Sequence, residues 1–73
     1  MSQHHFVICI GNTNYEASLE LRKIYETIPD DEAVRLGLMR VIDESGEDYL
    51  YPVSYFVHIE LPRKAEQAML GRT

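Results

Sequence analysis

Apolar residues fall into five short runs separated by polar breaks, and each run has the length of a strand rather than a helix. Phe6-Val-Ile-Cys-Ile10 is apolar throughout and β-branched at three of its five positions, which predicts a strand covered on both faces and central in a sheet. Lys23-Ile-Tyr-Glu-Thr-Ile28 puts Ile24 and Ile28 on one side and Tyr25 on the other. Pro29 ends it, because proline brings no N–H and holds Ile28 extended. Leu38-Met-Arg-Val-Ile42 and Tyr49-Leu-Tyr51 are the next two strands. In Phe56-Val-His-Ile-Glu-Leu61, period two places Val57, Ile59 and Leu61 on the inner face, with Phe56, His58 and Glu60 opposite. Pro62 closes this last run.

The breaks carry their own signals. Gly11-Asn-Thr-Asn14 is a loop by composition, and with no Lys-Ser/Thr behind it there is nothing to cradle a phosphate. Tyr15 to Tyr25 stays open between two readings. Glu16, Glu20 and Lys23 suit a helix but no apolar stripe accompanies them, whereas Leu19 and Leu21 share a face at period two; a long loop feeding a strand fits better. Pro29 to Gly37 reads as a turn and a half of helix, capped by Asp30 or Asp31 and closed by Gly37. Ser45-Gly46 predicts a tight reversal, and Val53-Ser-Tyr55 after Pro52 predicts one turn of 3₁₀ helix. Arg63 to Thr73 is a short helical candidate that caps one end of the fold or frays. The pattern predicts a mainly β protein, a small antiparallel barrel of about five strands with a short C-terminal helical or frayed tail. The whole chain, 1–73, reads as a single domain with an ordered core over about 5–62.

Composition narrows the chemistry. Cys9 is the sole cysteine, so no disulfide can form within the chain, which points to a cytoplasmic setting; its apolar neighbours predict a buried thiol. No stretch nears the roughly 18 to 20 apolar residues of a membrane span, and the N-terminus lacks the basic start of a secretory signal. Twelve acids against seven bases give a net charge of -5. Arg22, Lys23, Arg35, Arg40, Arg63, Lys64 and Arg72 are scattered, which argues against phosphate neutralisation and hence against nucleic acid. Acidic loops at Asp30–Glu32 and Asp43–Asp48 instead favour a basic partner. The three acids Asp30–Glu32 could hold a divalent ion but read better as a solvated acidic corner. Asp43–Asp48 lacks the ligand spacing of a calcium loop, and adjacent His4 and His5 point to opposite faces of a strand, so no metal is expected. His58 has no positioned nucleophile beside it, and no cofactor motif or catalytic constellation stands out. The expectation is a protein without cofactor or catalysis.

Aromatic residues supply the remaining candidates. Tyr49 and Tyr51 share a strand face, Pro52 interrupts the strand, and Tyr55 follows one 3₁₀ turn later. These four residues make either an aromatic shelf for a partner or, for Tyr51 and Tyr55, a core plug whose hydroxyls bond backbone carbonyls. Arg40 is positioned to pair with Glu47 or Asp48 across the hairpin.

From Glu16 onward the order of features resembles an SH3 domain. Glu16-Ala-Ser-Leu-Glu-Leu-Arg-Lys-Ile-Tyr-Glu-Thr-Ile28 is similar to that family's acidic, leucine-bearing passage into a strand. Tyr49-Leu-Tyr-Pro-Val-Ser-Tyr-Phe56 is similar to its Gly-Leu-Phe-Pro-Ser-Asn-Tyr-Val turn. The resemblance implies a closed barrel and a groove for proline-rich peptides to which Pro52 and Tyr55 contribute. Two departures stand out: no paired tyrosines flank Cys9-Ile-Gly11, where Tyr15 is the one candidate substitute, and Gly37-Leu-Met39 stands where the family carries tryptophan. The fold therefore transfers better than the ligand. Ile42 to Pro52 also resembles a segment of small bacterial proteins of undescribed function. The functional expectation is a non-enzymatic protein-interaction or accessory regulatory module using Tyr49, Tyr51, Pro52 and Tyr55. The alternatives are a nucleic-acid-associated barrel and a structural homodimer without a peptide groove. In a homodimer His5 to Ile10 would pair across a two-fold axis; otherwise it seals the chain's own sheet.

Overall fold

β1 (His5–Cys9), apolar from Phe6 onward, is central in the sheet: β2 (Ile24–Ile28) pairs with one of its edges and β5 (Phe56–Ile59) with the other. The computed structural model describes residues 5–71. Beyond β2 lie β3 (Leu38–Ile42) and β4 (Asp48–Pro52), joined by the hairpin whose Gly46 takes φ +85°. Every pairing is antiparallel, in the order β4-β3-β2-β1-β5. Helix α1 (Asp31–Arg35) links β2 to β3, a 3₁₀ turn (Val53–Tyr55) links β4 to β5, and α2 (Arg63–Met69) follows β5. The described residues form a mixed α/β fold: one open five-stranded antiparallel sheet and two short helices.

The expected SH3-like closed barrel does not form. β4 and β5 end the strand order and no pairing joins them. Closure would require these strands, of five and four residues, to ladder together. Instead Pro52 lacks a donor, the 3₁₀ turn diverts the chain, and the Tyr55 carbonyl accepts from Ile10 and Gly11, at 2.8 and 3.3 Å. That commits β5 to the side of β1. The mainly β class is corrected likewise, since α1 and α2 are both formed helices.

Cross-strand partners share a face of the sheet. The register sets Val7 against Tyr25, Cys9 against Phe56, Thr27 against Val41 and Met39 against Tyr51. These side chains, with Leu19, make the core, except that Thr27 is a buried polar member whose hydroxyl donates to the Arg40 carbonyl. The inward side of β5 is thus Phe56, while Val57 is half exposed, the reverse of the period-two assignment. An aromatic ring opposite Cys9 fills more core volume than valine would.

Leu19 reaches the core from the connection between β1 and β2. That stretch is a loop of turns rather than a helix. It is fastened by Ser18 and Leu19 N–H to the Tyr15 carbonyl, by Asn12 Nδ2 to the Leu19 carbonyl, and by Arg22 N–H to the Cys9 carbonyl. Asn14 and Arg22 take left-handed φ of 74° and 64° to make its bends. α1 is capped by Asp30, whose Oδ1 accepts from Ala33 N at 3.1 Å, and buries Ala33. Cys9 is fully buried, and burial pushes its thiol pKa up. Among the described residues no helix is long and apolar enough to cross a membrane.

Candidate interaction cleft

The hairpin between β3 and β4 and the loop after β1 meet edge to edge, and the meeting is built from tyrosines and carboxylates. Asp43 follows directly on β3 with only 7% of its surface exposed. Its Oδ1 accepts from the Ser45 N–H at 2.8 Å and the Ser45 hydroxyl at 2.5 Å, an Asx turn that shapes the reversal. Its Oδ2 accepts from the buried Tyr51 hydroxyl at 2.5 Å. Burial works against the charge on Asp43, but donors from Ser45 and Tyr51 outweigh it and hold the carboxyl below its ordinary range. Burial and the same carboxylate push Tyr51 up to about 12. Beside it, Glu44 accepts from the Tyr25 hydroxyl at 2.5 Å and from Lys23 Nζ at 2.6 Å. Lys23 first, then Tyr25, keeps Glu44 ionised below its usual range; burial and Glu44 raise Tyr25. The Glu44 N–H donates to the Ser18 carbonyl, which ties hairpin to loop through the backbone as well.

Above this network a cleft of about 340 Å³ opens, lined by Tyr15, Ser18, Asp43, Ser45, Tyr49, Leu50 and Tyr51. Tyr15 is 39% exposed and Tyr49 51%, and they form its rims. Tyr15 stands edge-on to Tyr51 with centroids 5.0 Å apart, so the floor ring is fixed by an exposed one. Four carboxylates lie between positions 43 and 48 with no base among them. Lys23 answers Glu44, and Arg40 answers Asp48 at 2.9 Å while its Nε donates to Asp30. Among the described residues no ion pair reaches Asp43 or Glu47. The cleft therefore has an aromatic surface and a negative rim.

The four residues expected to form the shelf take different places. Tyr49 is at the rim. Tyr51 is core, 3% exposed, and its hydroxyl goes to a carboxylate rather than a carbonyl. Pro52 is half-buried at the start of the 3₁₀ turn. Tyr55 packs partly on the core, its hydroxyl donating to the Thr13 carbonyl at 2.9 Å and its ring 6.2 Å from Tyr15. Sequence reasoning left out Ser18 and Asp43, and offered Tyr15 only as a stand-in for a family tyrosine. The Asp-x-Ser-Gly spacing of an Asx turn was the available signal for Asp43; nothing in a loop without period placed Tyr15 against Tyr51. Arg40 meets Asp48 and not Glu47.

A second hollow of about 260 Å³ lies between α1 and the sheet, walled largely by Ile28, Pro29, Val34 and Met39. His5 and His58 border it, but Asp30 and Arg40 there are spent on each other. The His4 half of the His4-His5 pair lies outside the described residues, as do Arg72 and Thr73. Among the described residues no group of His, Cys, Asp and Glu is placed to hold a metal ion.

No family model, curated protein or solved structure matches this chain. The likeness to SH3 domains, and that of Ile42–Pro52 to bacterial proteins, is thus unsupported by any match. The closed-barrel reading fails on topology and has no match behind it.

Proposed function

We propose that this protein is a non-catalytic interaction module whose cleft between Tyr15 and Tyr49 takes a basic peptide segment of a partner protein. The observation that carries the reading is the pairing of two exposed tyrosine rims with a rigid, hydrogen-bonded floor inside an acidic surround. Tyrosine rims offer large contact area at low entropic cost and stack on guanidinium or ammonium groups. The negative rim then speeds encounter with cationic partners and selects against acidic ones. Nucleic acid is the poorer reading, because Lys23, Arg35 and Arg40 each already face a carboxylate.

An array of octapeptides alternating Arg or Lys with Val, Thr, Ile or Tyr tests this, with amide and side-chain NMR shifts as the readout. Binding should move Tyr15, Ser45 and Tyr49 first. Tyr49→Ala should weaken the best peptide about tenfold, roughly 1.4 kcal/mol, while leaving the melting temperature in place. An array in which no member shifts these signals, or a Tyr49→Ala variant that binds undiminished, refutes the reading.

A further inference from the structure

The cleft borders a free sheet edge, and the hydrogen-bond phase of that edge can be read from its two ends. At one end Asp43 N–H donates to the Glu47 carbonyl, and at the other Val53 N–H donates to the Gly37 carbonyl. The register between them pairs Val41 with Tyr49, Arg40 with Leu50 and Met39 with Tyr51. Bonded and non-bonded pairs alternate in an antiparallel ladder. The backbone groups of Tyr49 and Tyr51 therefore turn inward to β3, while those of Asp48, Leu50 and Pro52 turn outward. Pro52 fits this phase, because its missing N–H falls on the side where β3 asks for none. No strand among the described residues pairs with that outer side. The opposite edge of the sheet is less open: the Phe56 N–H at an outward position of β5 already donates to the Val53 carbonyl.

Leu50 lies in the cleft wall and is 38% exposed, so edge and cleft are continuous. We infer that the basic peptide binds as an added sixth strand, antiparallel or parallel to β4. It would pair with the N–H groups of Asp48 and Leu50 and the carbonyls of Asp48, Leu50 and Pro52. Main-chain bonds of this kind supply affinity while alternate side chains supply selection. One set of peptide side chains would lie beside Tyr49 over the aromatic cleft. The other would lie beside Leu50, near Asp48 and its Arg40 partner. Charge chooses the occupant: the hairpin at the end of this edge carries four acids and no base, which suits a cationic strand and opposes a second copy of a chain whose net charge is -5. The inference rests on the interaction reading above and adds the mode of binding to it.

Leu50→Pro is the test, with the tightest octapeptide of the array as probe. Proline at an outward position removes the edge donor and leaves the ladder to β3 intact, as Pro52 already does. Binding should fall at least tenfold, and in the wild-type complex the amides of Asp48 and Leu50 should exchange at least tenfold more slowly, those of Tyr49 and Tyr51 unchanged. Because Leu50→Pro could disturb the fold, the same octapeptide N-methylated at alternate residues provides the second arm. One of the two methylation phases should abolish binding and the other should not. Equal binding by Leu50→Pro and by both methylated peptides overturns the added strand while leaving the cleft reading standing. Failure of every octapeptide to bind overturns both. Sedimentation of the free protein showing a dimer that Leu50→Pro dissolves would assign the edge to a second copy and overturn the peptide as its occupant.

Discussion

Tyr51→Phe deletes one oxygen atom from the core and leaves the ring in place, so it isolates the bond to Asp43. In the wild type that phenol donates at 2.5 Å to a carboxylate in a residue only 7% exposed. A hydrogen bond to a charged acceptor contributes about 1.5–3 kcal/mol, and its loss leaves Oδ2 poorly hydrated. The two Ser45 donors remain on Oδ1 and keep the turn formed, which places the cost near the middle of that range, about 2 kcal/mol. For a domain of this size a loss of that magnitude lowers the melting temperature by about 10 °C. Urea unfolding followed by circular dichroism should show a lower midpoint at unchanged slope. The difference between variant and wild type should narrow as pH falls below the ordinary carboxylate range, because the lowered Asp43 carboxyl takes up its proton there and the bond to it is no longer charge-assisted. A loss under about 0.5 kcal/mol at pH 7, or one that persists in full at low pH, would refute the assignment of Tyr51–Asp43 as an ionic bond in the core.

Leu19→Ala should cost about 3 kcal/mol in the same assay, because Leu19 is 1% exposed and its loss leaves a cavity between loop and sheet; a cost below about 1 would mean the loop merely drapes over the core. Gly11→Ala would set a methyl 3.0 Å from Tyr55 Cδ1, so about 1 kcal/mol should be lost along with the Tyr55 bond to Thr13. That cost should vanish in a Tyr55→Ala background; equal costs in both backgrounds would rule out the contact as the cause. Stability should also depend on pH at both extremes. Asp30, Asp43 and Glu44 are held below their ordinary values, so the unfolded chain binds protons first and stability should fall progressively below about pH 5. Tyr25 and Tyr51 are raised, so the unfolded tyrosines ionise first and stability should fall again above about pH 10. A denaturation midpoint that stays flat from pH 7 to pH 3 would contradict the acid limb.

The elements themselves were legible in the chain. β-branched runs between proline and glycine marks located the strands within a residue or two, and Pro52 followed by Val53-Ser54-Tyr55 located the 3₁₀ turn. Asp30, Gly37 and Gly46 announced the cap and the turns through local chemistry, since capping and positive φ act over two or three residues. Faces were less legible: period two marks which residues of β5 stand together but not which side is inward, and the pairing of Cys9 with Phe56 settled that. What only the tertiary structure decided depends on contacts between distant residues. β5 lies beside β1 because the Tyr55 carbonyl meets Ile10 and Gly11 more than forty positions away, which no local signal records. The cleft exists because Tyr15, from a loop without period, stands on Tyr51, and because Tyr51 finds Asp43 across the hairpin. Strand propensity is a property of neighbours along the chain; closure, burial and the joining of a rim to a floor are properties of neighbours in space.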